Sequence, residues 1–314
     1  MTNKKPMLSV QQALDILLSA VRPIAETETI PTLEANGRIL AAAQVSQLNV
    51  PPMDNTQMDG YAVRAADCAS GNAQLKVTQR IPAGHVGQPL QPGSAARIFT
   101  GAMIPAGADA VVMQEVCDTN DDAVTIRHAP TPGEWIRRSG EDIRAGSTIL
   151  LAGSRLRAQE LGLAAAVGLA ALPVMRRLRV AVFYTGDELT MPGEPLKPGA
   201  IYNSNRFVLR SLLQNLGCDV SDYGIVPDTL ADTRDTLRRA AQGNDLILTS
   251  GGVSVGEEDH VKPAVEAEGC LNLWQIAVKP GKPLAFGEVR RSGDDTAFFL
   301  GLPGNPVSSL VTFL

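Results

Sequence analysis

The segment DLILTSGGVSVGEEDH, residues 245–260, combines residue types that bind anions and metal ions. Its candidate ligand-binding residues are Ser250, Gly251, Gly252, Ser254 and Asp259. Glycines let a backbone approach a ligand closely, and serine hydroxyls can bind a phosphate or the edge of a ring. The segment matches neither the Walker A nor the GxGxxG motif, and short glycine motifs are weak signals. A tight turn between a strand and a helix explains the same letters, so both interpretations stay open.

Further carboxylates follow the ends of other predicted strands: Asp187 and Glu188 in TGDEL, and Asp228 in VPD. Clustered carboxylates repel one another and raise one another's pKa unless they share a proton or a divalent cation. Mg²⁺ that bridges to a substrate phosphate is therefore one chemical use for them. Capping of helix N-termini is the alternative use, because acids are common in first turns.

Two lysines flank a Pro-Gly turn in AVKPGKPLAFG, residues 277–287. Lys279 and Lys282 can converge on one small anion there, although the residues alone slightly favour a solvated hairpin. Near the end of the chain, Asn305 and Pro306 predict a helix N-cap and its first residue. Such a helix start could bind an anion, and a simple capped helix explains the same letters.

The composition limits the classes of partner. The chain has 314 residues, 44% of them hydrophobic, and 28 basic against 33 acidic residues give a net charge of -5. A nucleic-acid surface or an anionic membrane is therefore not expected as a partner. The four cysteines form no CxxC pair and the three histidines show no ligand spacing, so neither a zinc site nor a disulfide framework is indicated. Reduced thiols fit a cytoplasmic protein.

The predicted elements fall into regions of different style. Ser9 and Gln12 predict the capping box of an amphipathic N-terminal helix. The apolar run LGLAAAVGLAALPV predicts a core helix and is too short for a membrane span. Gly- and Pro-rich turns between short strands predict a β-rich region up to about residue 146. From residue 176, strands alternate with helices, which predicts a parallel sheet with ligands beyond the carboxyl ends of its strands.

Eight motifs in the same order resemble the MoeA family of molybdopterin molybdenumtransferases across nearly the whole chain. They are PPMDNTQMDGYAVRAAD, RIFTGAMIPAGADAVVMQE, RRSGEDIRAG, VFYTGDEL, IYNSNR, TSGGVSVGEEDH, KPGKPLAFG and GLPGNPVSS. The resemblance implies a multi-domain α/β fold. Residues 176–314 would form a parallel-sheet, molybdopterin-binding α/β domain and residues 49–146 a β-rich domain. Residues 1–48 with 147–175 would form a small linking domain of helix and strand.

The resemblance also implies an activity. Adenylylated molybdopterin and molybdate would be converted to the molybdenum cofactor with release of AMP, with Mg²⁺ as the metal. It further implies a cytoplasmic homodimer, with possible contact to the adenylyltransferase of the same pathway.

The resemblance assigns roles to residues as well. The catalytic positions would be Asp59, Thr100, Asp142 and Asp259. The pterin and its phosphate would be held by Ser250, Gly251, Gly252 and Ser254, and molybdate by Lys279, Lys282 and Pro283. The metal would be bound by Glu188, Asp228 and Asp259.

The chain departs from the family pattern at two places. Gln275 stands where the family often has a basic residue before KPGKP. The family continues after GNPVSS into a C-terminal β domain, whereas this chain ends at Leu314, so we expect a fragment. Two alternative functions share the fold. The pathway's adenylyltransferase has the GGxSxGxxD loop but lacks the MDGYAV region, and a receptor-clustering scaffold of animals has the fold without turnover.

Overall fold

The computed structural model describes residues 7–253, 259–281, 283–293 and 295–314. The chain divides into two compact units, one formed by Glu28–Val174 and the other by Met175–Leu314 with the segment that ends at Thr27. The finer division into a linking domain, a β-rich domain and an α/β domain stays a prediction.

Helix α1, Val10–Ala20, begins with the capping box that the sequence predicts. The Ser9 hydroxyl accepts the Gln12 N–H at 3.1 Å, and the Gln12 side chain accepts the Ser9 N–H at 2.9 Å. Ala13 is buried in one core cluster with Val180 and Tyr184 of the α/β unit. The helix therefore packs on the α/β unit, whereas the sequence assigns it to the linking region.

The unit of residues 28–174 is rich in short strands, as predicted. Its strands are β1 Thr27–Pro31, β2 Gln44–Val45, β3 Asn55–Thr56, β4 Gly60–Val63, β5 Ala73–Ile81, β6 Ser94–Ile98, β7 Ala110–Met113, β8 Cys117–Asn120, β9 Ala123–Ile126, β10 Ile136–Arg137, β11 Thr148–Leu150 and β12 Ala171–Met175. Its helices are α2 Ala158–Ala166 and the short 3₁₀ turns Thr32–Glu34, Ala65–Cys68 and Gln114–Val116.

Strands β4–β9 form a six-stranded sheet in the order β7-β4-β6-β5-β9-β8. Its pairs are antiparallel except for β5 with β6. Both faces of β4 are covered, because side chains alternate across a strand. Tyr61 and Val63 lie in one core cluster, and Ala62 lies in another with Ile98. Strand β3 pairs with β10, which joins the segment before β4 to the segment after residue 135.

The apolar run LGLAAAVGLAALPV is not one core helix, and that prediction is wrong. Helix α2 ends at Ala166, Gly168 adopts φ +80°, and the rest of the run continues into strand β12. A glycine in the left-handed conformation commonly follows the last residue of a helix and ends it. Here it ends α2 even though the apolar sequence continues. Among the described residues, no helix is long and apolar enough to span a membrane.

The second unit has the alternating strands and helices that the sequence predicts. Its strands are β13 Arg179–Thr185, β14 Leu189–Thr190, β15 Ile201–Tyr202, β16 Asp219–Val226, β17 Leu246–Ser250, β18 Gly269–Gln275, β19 Pro283–Arg290 and β20 Thr296–Leu302. Its further helices are α3 Ser204–Asn215, α4 Leu230–Ala241, α5 Val261–Glu268 and α6 Pro306–Phe313.

The sheet of this unit has the order β16-β13-β17-β20-β19-β18. Strands β16, β13, β17 and β20 are parallel, while β19 and β18 join antiparallel, so the sheet is mixed. Strand β13 is buried on both faces, which explains its nearly continuous apolar sequence. Val182 lies in the core cluster that includes α3 residues, and Phe183 lies in the cluster that includes α4 and α5 residues.

Candidate functional site

The parallel strands of the α/β unit end level with one another at one edge of the sheet. Thr185 pairs with Val226, Tyr184 with Ser250, and Ser250 with Leu302. The loops that leave this edge contain the predicted acids. One of them is the glycine loop, which follows β17 and begins with Gly251 and Gly252. Ligands of open α/β sheets bind beyond the carboxyl ends of the strands, so this edge is the candidate site.

The carboxylates of these loops influence one another. Burial raises the pKa of Asp228, the charges of Asp187, Asp259 and Glu188 raise it further, and His260 opposes the shift. The structure therefore brings the predicted acids of three loops into one electrostatic group, as the sequence indicates. Sequence reasoning gave no role to His260, which no ligand spacing could reveal.

Two of these acids have a buried carboxylate oxygen without a partner. Asp228 Oδ1 and Asp259 Oδ2 are inaccessible to solvent and have no hydrogen-bond donor among the described residues. Helix capping does not occupy them. Thr229 caps α4 by accepting the Asp232 N–H at 3.1 Å, and the N-cap of α5 is His260, without a side-chain bond. The capping alternative therefore does not account for these two carboxylates.

Such oxygens suit a hard divalent cation such as Mg²⁺, which prefers oxygen ligands. In the described ranges, no group of three or more His, Cys, Asp or Glu side chains is arranged to hold a metal ion. Mg²⁺ is commonly held by one or two carboxylates together with substrate phosphates. The residues present thus fit a metal whose coordination a phosphate-bearing substrate completes.

The glycine loop after β17 requires its glycines. Gly251 has φ +104°, and a Cβ there would lie 2.7 Å from the Thr185 carbonyl oxygen. Gly252 has φ +66°, and its Cβ would lie 2.5 Å from Val261 Cγ2. The Gly251 N–H donates to the Leu302 carbonyl at 3.1 Å, which joins this loop to the end of β20. The turn therefore packs too closely against Thr185 and Val261 to admit a side chain at either glycine.

The Ser250 hydroxyl forms hydrogen bonds with other groups of the protein. Its hydroxyl donates to the Pro303 carbonyl at 3.0 Å and accepts from Asn205 Nδ2 at 2.7 Å. The same nitrogen donates to the Gly304 carbonyl at 2.8 Å. The sequence predicted Ser250 as part of the ligand loop and gave no role to Asn205. Asn205 belongs to the quoted motif IYNSNR, but in the sequence it looks like any polar residue in the first turn of a helix.

The predicted molybdate residues are only partly described. Lys279 is exposed, and Pro283 opens β19 opposite Gln275. The turn between them rests on α6, because Thr312 Oγ1 donates to the Gly281 carbonyl at 3.3 Å. Lys282 and Ser254 lie outside the described residues. The N-cap prediction for α6 is confirmed, since Asn305 accepts the Ser308 N–H at 3.0 Å and Pro306 is the first residue of the helix.

A cavity of about 770 Å³ adjoins the acidic loop after β13. Residues 187–190, which include Asp187 and Glu188, line one part of it, and residues of the loop 194–200, which include Lys197, line the rest. Its volume lies within the range of small-molecule sites. A substrate that reaches the acids therefore has room beside them within the same unit.

In the other unit, Asp59 and Thr100 are held together. The Thr100 N–H and hydroxyl both donate to Asp59 Oδ1, at 2.8 and 2.7 Å. These hydrogen bonds lower the pKa of Asp59, and the charge of Arg97 adds to the effect. Arg97 is itself fixed by the Gly60 carbonyl at 2.9 Å and by Gln114 Oε1 at 2.6 Å. The motifs MDGYAV and FTGA thus form one polar cluster, while the catalytic roles of Asp59 and Thr100 stay predictions.

Asp142 pairs with Arg137, a residue that sequence reasoning did not single out. Arg137 lies on β10 opposite Asn55 of β3, and the Asp142 N–H donates to the Val50 carbonyl at 2.9 Å. Asp54 accepts from the Ser139 N–H at 2.8 Å. The segments PPMDN and RRSGED are therefore bound to each other, which explains how motifs distant in the sequence come together.

Two family models together match most of the chain. Residues 8–168 match the family model described as MoeA N-terminal region (domain I and II), and residues 181–314 match the probable molybdopterin binding domain. The molybdopterin molybdenumtransferase of Haemophilus influenzae is 45% identical over 98% of this chain and 75% of its own length. Molybdopterin molybdenumtransferase 2 of Mycobacterium tuberculosis is 43% identical over 96% of this chain and 75% of its length.

A solved structure shares the fold. The molybdopterin biosynthesis MoeA protein of Pyrococcus horikoshii superposes with a TM-score of 0.82, at 32% identity, over 98% of this chain and 77% of that chain. The two family matches and these relatives place the chain among the transferases of molybdenum cofactor biosynthesis. Within that class, the chain belongs to the MoeA family of molybdopterin molybdenumtransferases.

Proposed function

We propose that this chain transfers molybdenum from molybdate to adenylylated molybdopterin, with release of AMP. The observation that carries the proposal is the pair of buried carboxylate oxygens on Asp228 and Asp259, which have no hydrogen-bond donor among the residues that the structure describes. A phosphoanhydride substrate needs a bound cation and backbone N–H groups near its phosphates. This edge of the sheet supplies acids that could hold the cation and a glycine turn for the phosphate.

The proposed roles follow from the contacts. Asp228 and Asp259, with Glu188, would hold Mg²⁺, which neutralises negative charge on the anhydride when it is bound. The backbone of Gly251 and Gly252 would lie against the pterin phosphate, because their positive φ angles shape a turn at the strand end that side chains would strain. Cleavage of the phosphoanhydride would release AMP as the leaving group, and the pterin would keep its own phosphate.

The cationic turn would bind molybdate. Lys279 and Lys282 supply two ammonium groups next to Pro283, and Lys279 is exposed and available to an anion. A lysine meets a small oxyanion as a compact charge with several donors.

The polar residues of the other unit include the remaining catalytic candidates. Asp59, Thr100 and Asp142 are proposed catalytic positions, and their hydrogen bonds fix their orientation before a substrate arrives. Groups oriented in advance are effective in catalysis, because no reorganisation is needed during the reaction.

AMP release tests the proposal. The chain should release AMP from adenylylated molybdopterin only when molybdate is present, and the variant Lys279→Gln should need about ten- to a hundredfold more molybdate. Lys279→Arg, which keeps the charge, is the matched control. Consumption of ATP with molybdopterin would instead identify an adenylyltransferase, and molybdate-independent AMP release would contradict the proposed transfer.

We also propose a cytoplasmic homodimer that receives its substrate from the adenylyltransferase of the same pathway. Support for self-association comes from α1, where Val10, Leu14, Leu18 and Val21 are 57%, 44%, 61% and 59% exposed. Val10, Leu14 and Leu18 share one face of the helix, and Val21 is the extended residue that follows it. An exposed apolar face of this kind commonly marks an interface.

A further inference from the structure

Asn205 joins two loops at the candidate site. It lies in the first turn of α3 and is 9% exposed, and its side-chain nitrogen reaches both Ser250 Oγ and the Gly304 carbonyl. The first acceptor ends β17, and the second lies in the turn between β20 and α6. A carbonyl oxygen can only accept, so the nitrogen of the Asn205 amide must face it.

The bonds around Asn205 form a closed network. Ser250 donates to the Pro303 carbonyl, one residue before Gly304, and the Gly251 N–H donates to the Leu302 carbonyl. Each of these bonds crosses from the glycine loop to the 302–304 turn. Buried polar networks of this kind define a conformation strongly, because each broken bond leaves a group without water or partner.

The network has a consequence for Ser250. Its hydroxyl donates to one internal group, accepts from another, and is 3% exposed. Its hydrogen is therefore not free for a ligand. The contribution of Ser250 to the site is the position that it gives to Gly251 and Gly252.

We propose that Asn205 is a positioning residue that, through Ser250 and Gly304, fixes the glycine loop where its backbone meets the phosphate of the pterin. The inference deepens the proposed function and rests on it for the identity of the ligand. We call the hydrogen bonds of Asn205 to Ser250 and Gly304 the clamp, and the clamp can be tested without any ligand.

The first measurement is amide hydrogen exchange of the unliganded chain. In Asn205→Ala and Asn205→Asp, the amides of residues 250–253 and those of Leu302 and Gly304 should exchange about tenfold faster than in the wild type, as loss of a buried hydrogen bond predicts. Exchange in β13 should stay unchanged. Asn215→Asp is the matched control, because Asn215 is exposed in the last turn of the same helix. Unchanged exchange in the two loops would overturn the clamp whether or not the chain binds molybdopterin.

The second measurement is molybdopterin affinity as a function of pH. An ionised carboxylate in Asn205→Asp cannot donate to the Gly304 carbonyl, whereas a protonated one can donate a single bond. Burial favours the protonated form, so the affinity of this variant relative to wild type should recover as the pH falls from 8 towards 5. Acids are tolerated in the first turn of a helix, so α3 should persist.

The two measurements decide separate questions. A wild-type chain that does not bind molybdopterin contradicts the proposed function, and the exchange data still decide the clamp. Faster exchange with about tenfold weaker, pH-recoverable binding supports the positioning role. Faster exchange with unchanged molybdopterin affinity, or a loss that is equal at every pH, would show that Asn205 is only structural.

Discussion

At the scale of single residues, Asp228 carries a charge in an unfavourable place. Burial and three neighbouring acids raise its pKa, so its ionised form is disfavoured in the folded state. The protonated carboxyl favours folding fully below the unfolded pKa of about 3.9, and that contribution is lost as the pH rises through the folded pKa. At neutral pH, the Asp228 charge therefore opposes folding.

We expect Asp228→Asn to raise the free energy of unfolding at pH 7.5 by on the order of 1 kcal/mol, because it removes a charge with a partnerless oxygen. The gain should be smaller at pH 4, because the raised pKa lets the wild-type Asp228 carboxyl take up a proton as the pH falls. Urea unfolding at both pH values measures it. Asp187→Asn, at an exposed acid of the same cluster, is the control and should change stability by less than about 0.5 kcal/mol.

The same variant tests the metal assignment. Added Mg²⁺ should raise the melting temperature of the wild type, because a ligand of the folded state stabilises it, and should raise that of Asp228→Asn much less. Equal shifts in both proteins would remove Asp228 from the proposed metal site.

Thr100 controls the charge of Asp59 in a comparable way. Its N–H and hydroxyl lower the pKa of Asp59, so this pair contributes stability above the unfolded pKa and loses it as the pH falls through the folded pKa. Thr100→Val keeps the N–H and removes the hydroxyl, so the pKa of Asp59 should move up towards its ordinary value. Carboxyl NMR titration measures it, and Asp54, whose pKa is lowered by the Ser139 N–H and by Arg138, should not change. An unaltered Asp59 titration would contradict the importance of the hydroxyl.

The sequence identified some of these residues and missed others for a physical reason. Asp187, Glu188, Asp228 and Asp259 could be found because strand ends converge at one edge of a parallel sheet. Asn205 could not be found, because its importance depends on the Ser250 hydroxyl and the Gly304 carbonyl, which only the folded chain brings within 3 Å of its side chain. The internal use of the Ser250 hydroxyl was equally invisible to a motif.

At the scale of elements, the turn after β17 depends on backbone conformation. We expect Gly251→Ala to cost on the order of 2 kcal/mol, because φ +104° is strained for alanine and its Cβ would lie 2.7 Å from the Thr185 carbonyl oxygen. Gly304→Ala is the matched control, since its Cβ would meet Gly251 Cα at an ordinary 3.6 Å. Denaturant midpoints measure both, and equal costs would contradict the steric argument.

Elements were predictable where local signals agreed. Strands β13, β16 and β17 and helices α3 and α4 follow from alternating patterns, and Ser9 and Asn305 cap their helices as predicted. The run from residue 161 to 174 was misread because hydrophobicity does not distinguish a helix from a strand. Gly168 was the available signal for the boundary.

At the scale of the whole molecule, the β-rich and α/β styles of the sequence correspond to different units, but the position of α1 did not follow from its own letters. An amphipathic helix shows which face is apolar and not which unit that face will contact. Its contact with β13 residues depends on the folded α/β unit. The exposed apolar stripe of α1, formed by Val10, Leu14 and Leu18, is the surface whose role in self-association can be tested.

We expect the chain to be a dimer in solution and the double variant Leu14→Glu, Leu18→Glu to shift it towards monomer. Two carboxylates placed on the exposed apolar stripe of α1 would lose their hydration on association, which costs several kcal/mol for each buried charge. Helix α1 should still fold, because Ala13 and not these leucines is its buried residue. Light scattering across a concentration series measures the mass. Ser19→Glu, which adds a charge to α1 away from the stripe, should leave the mass unchanged. A wild-type monomer would contradict the homodimer, and an unaltered dimer in the double variant would show that this face is not its interface.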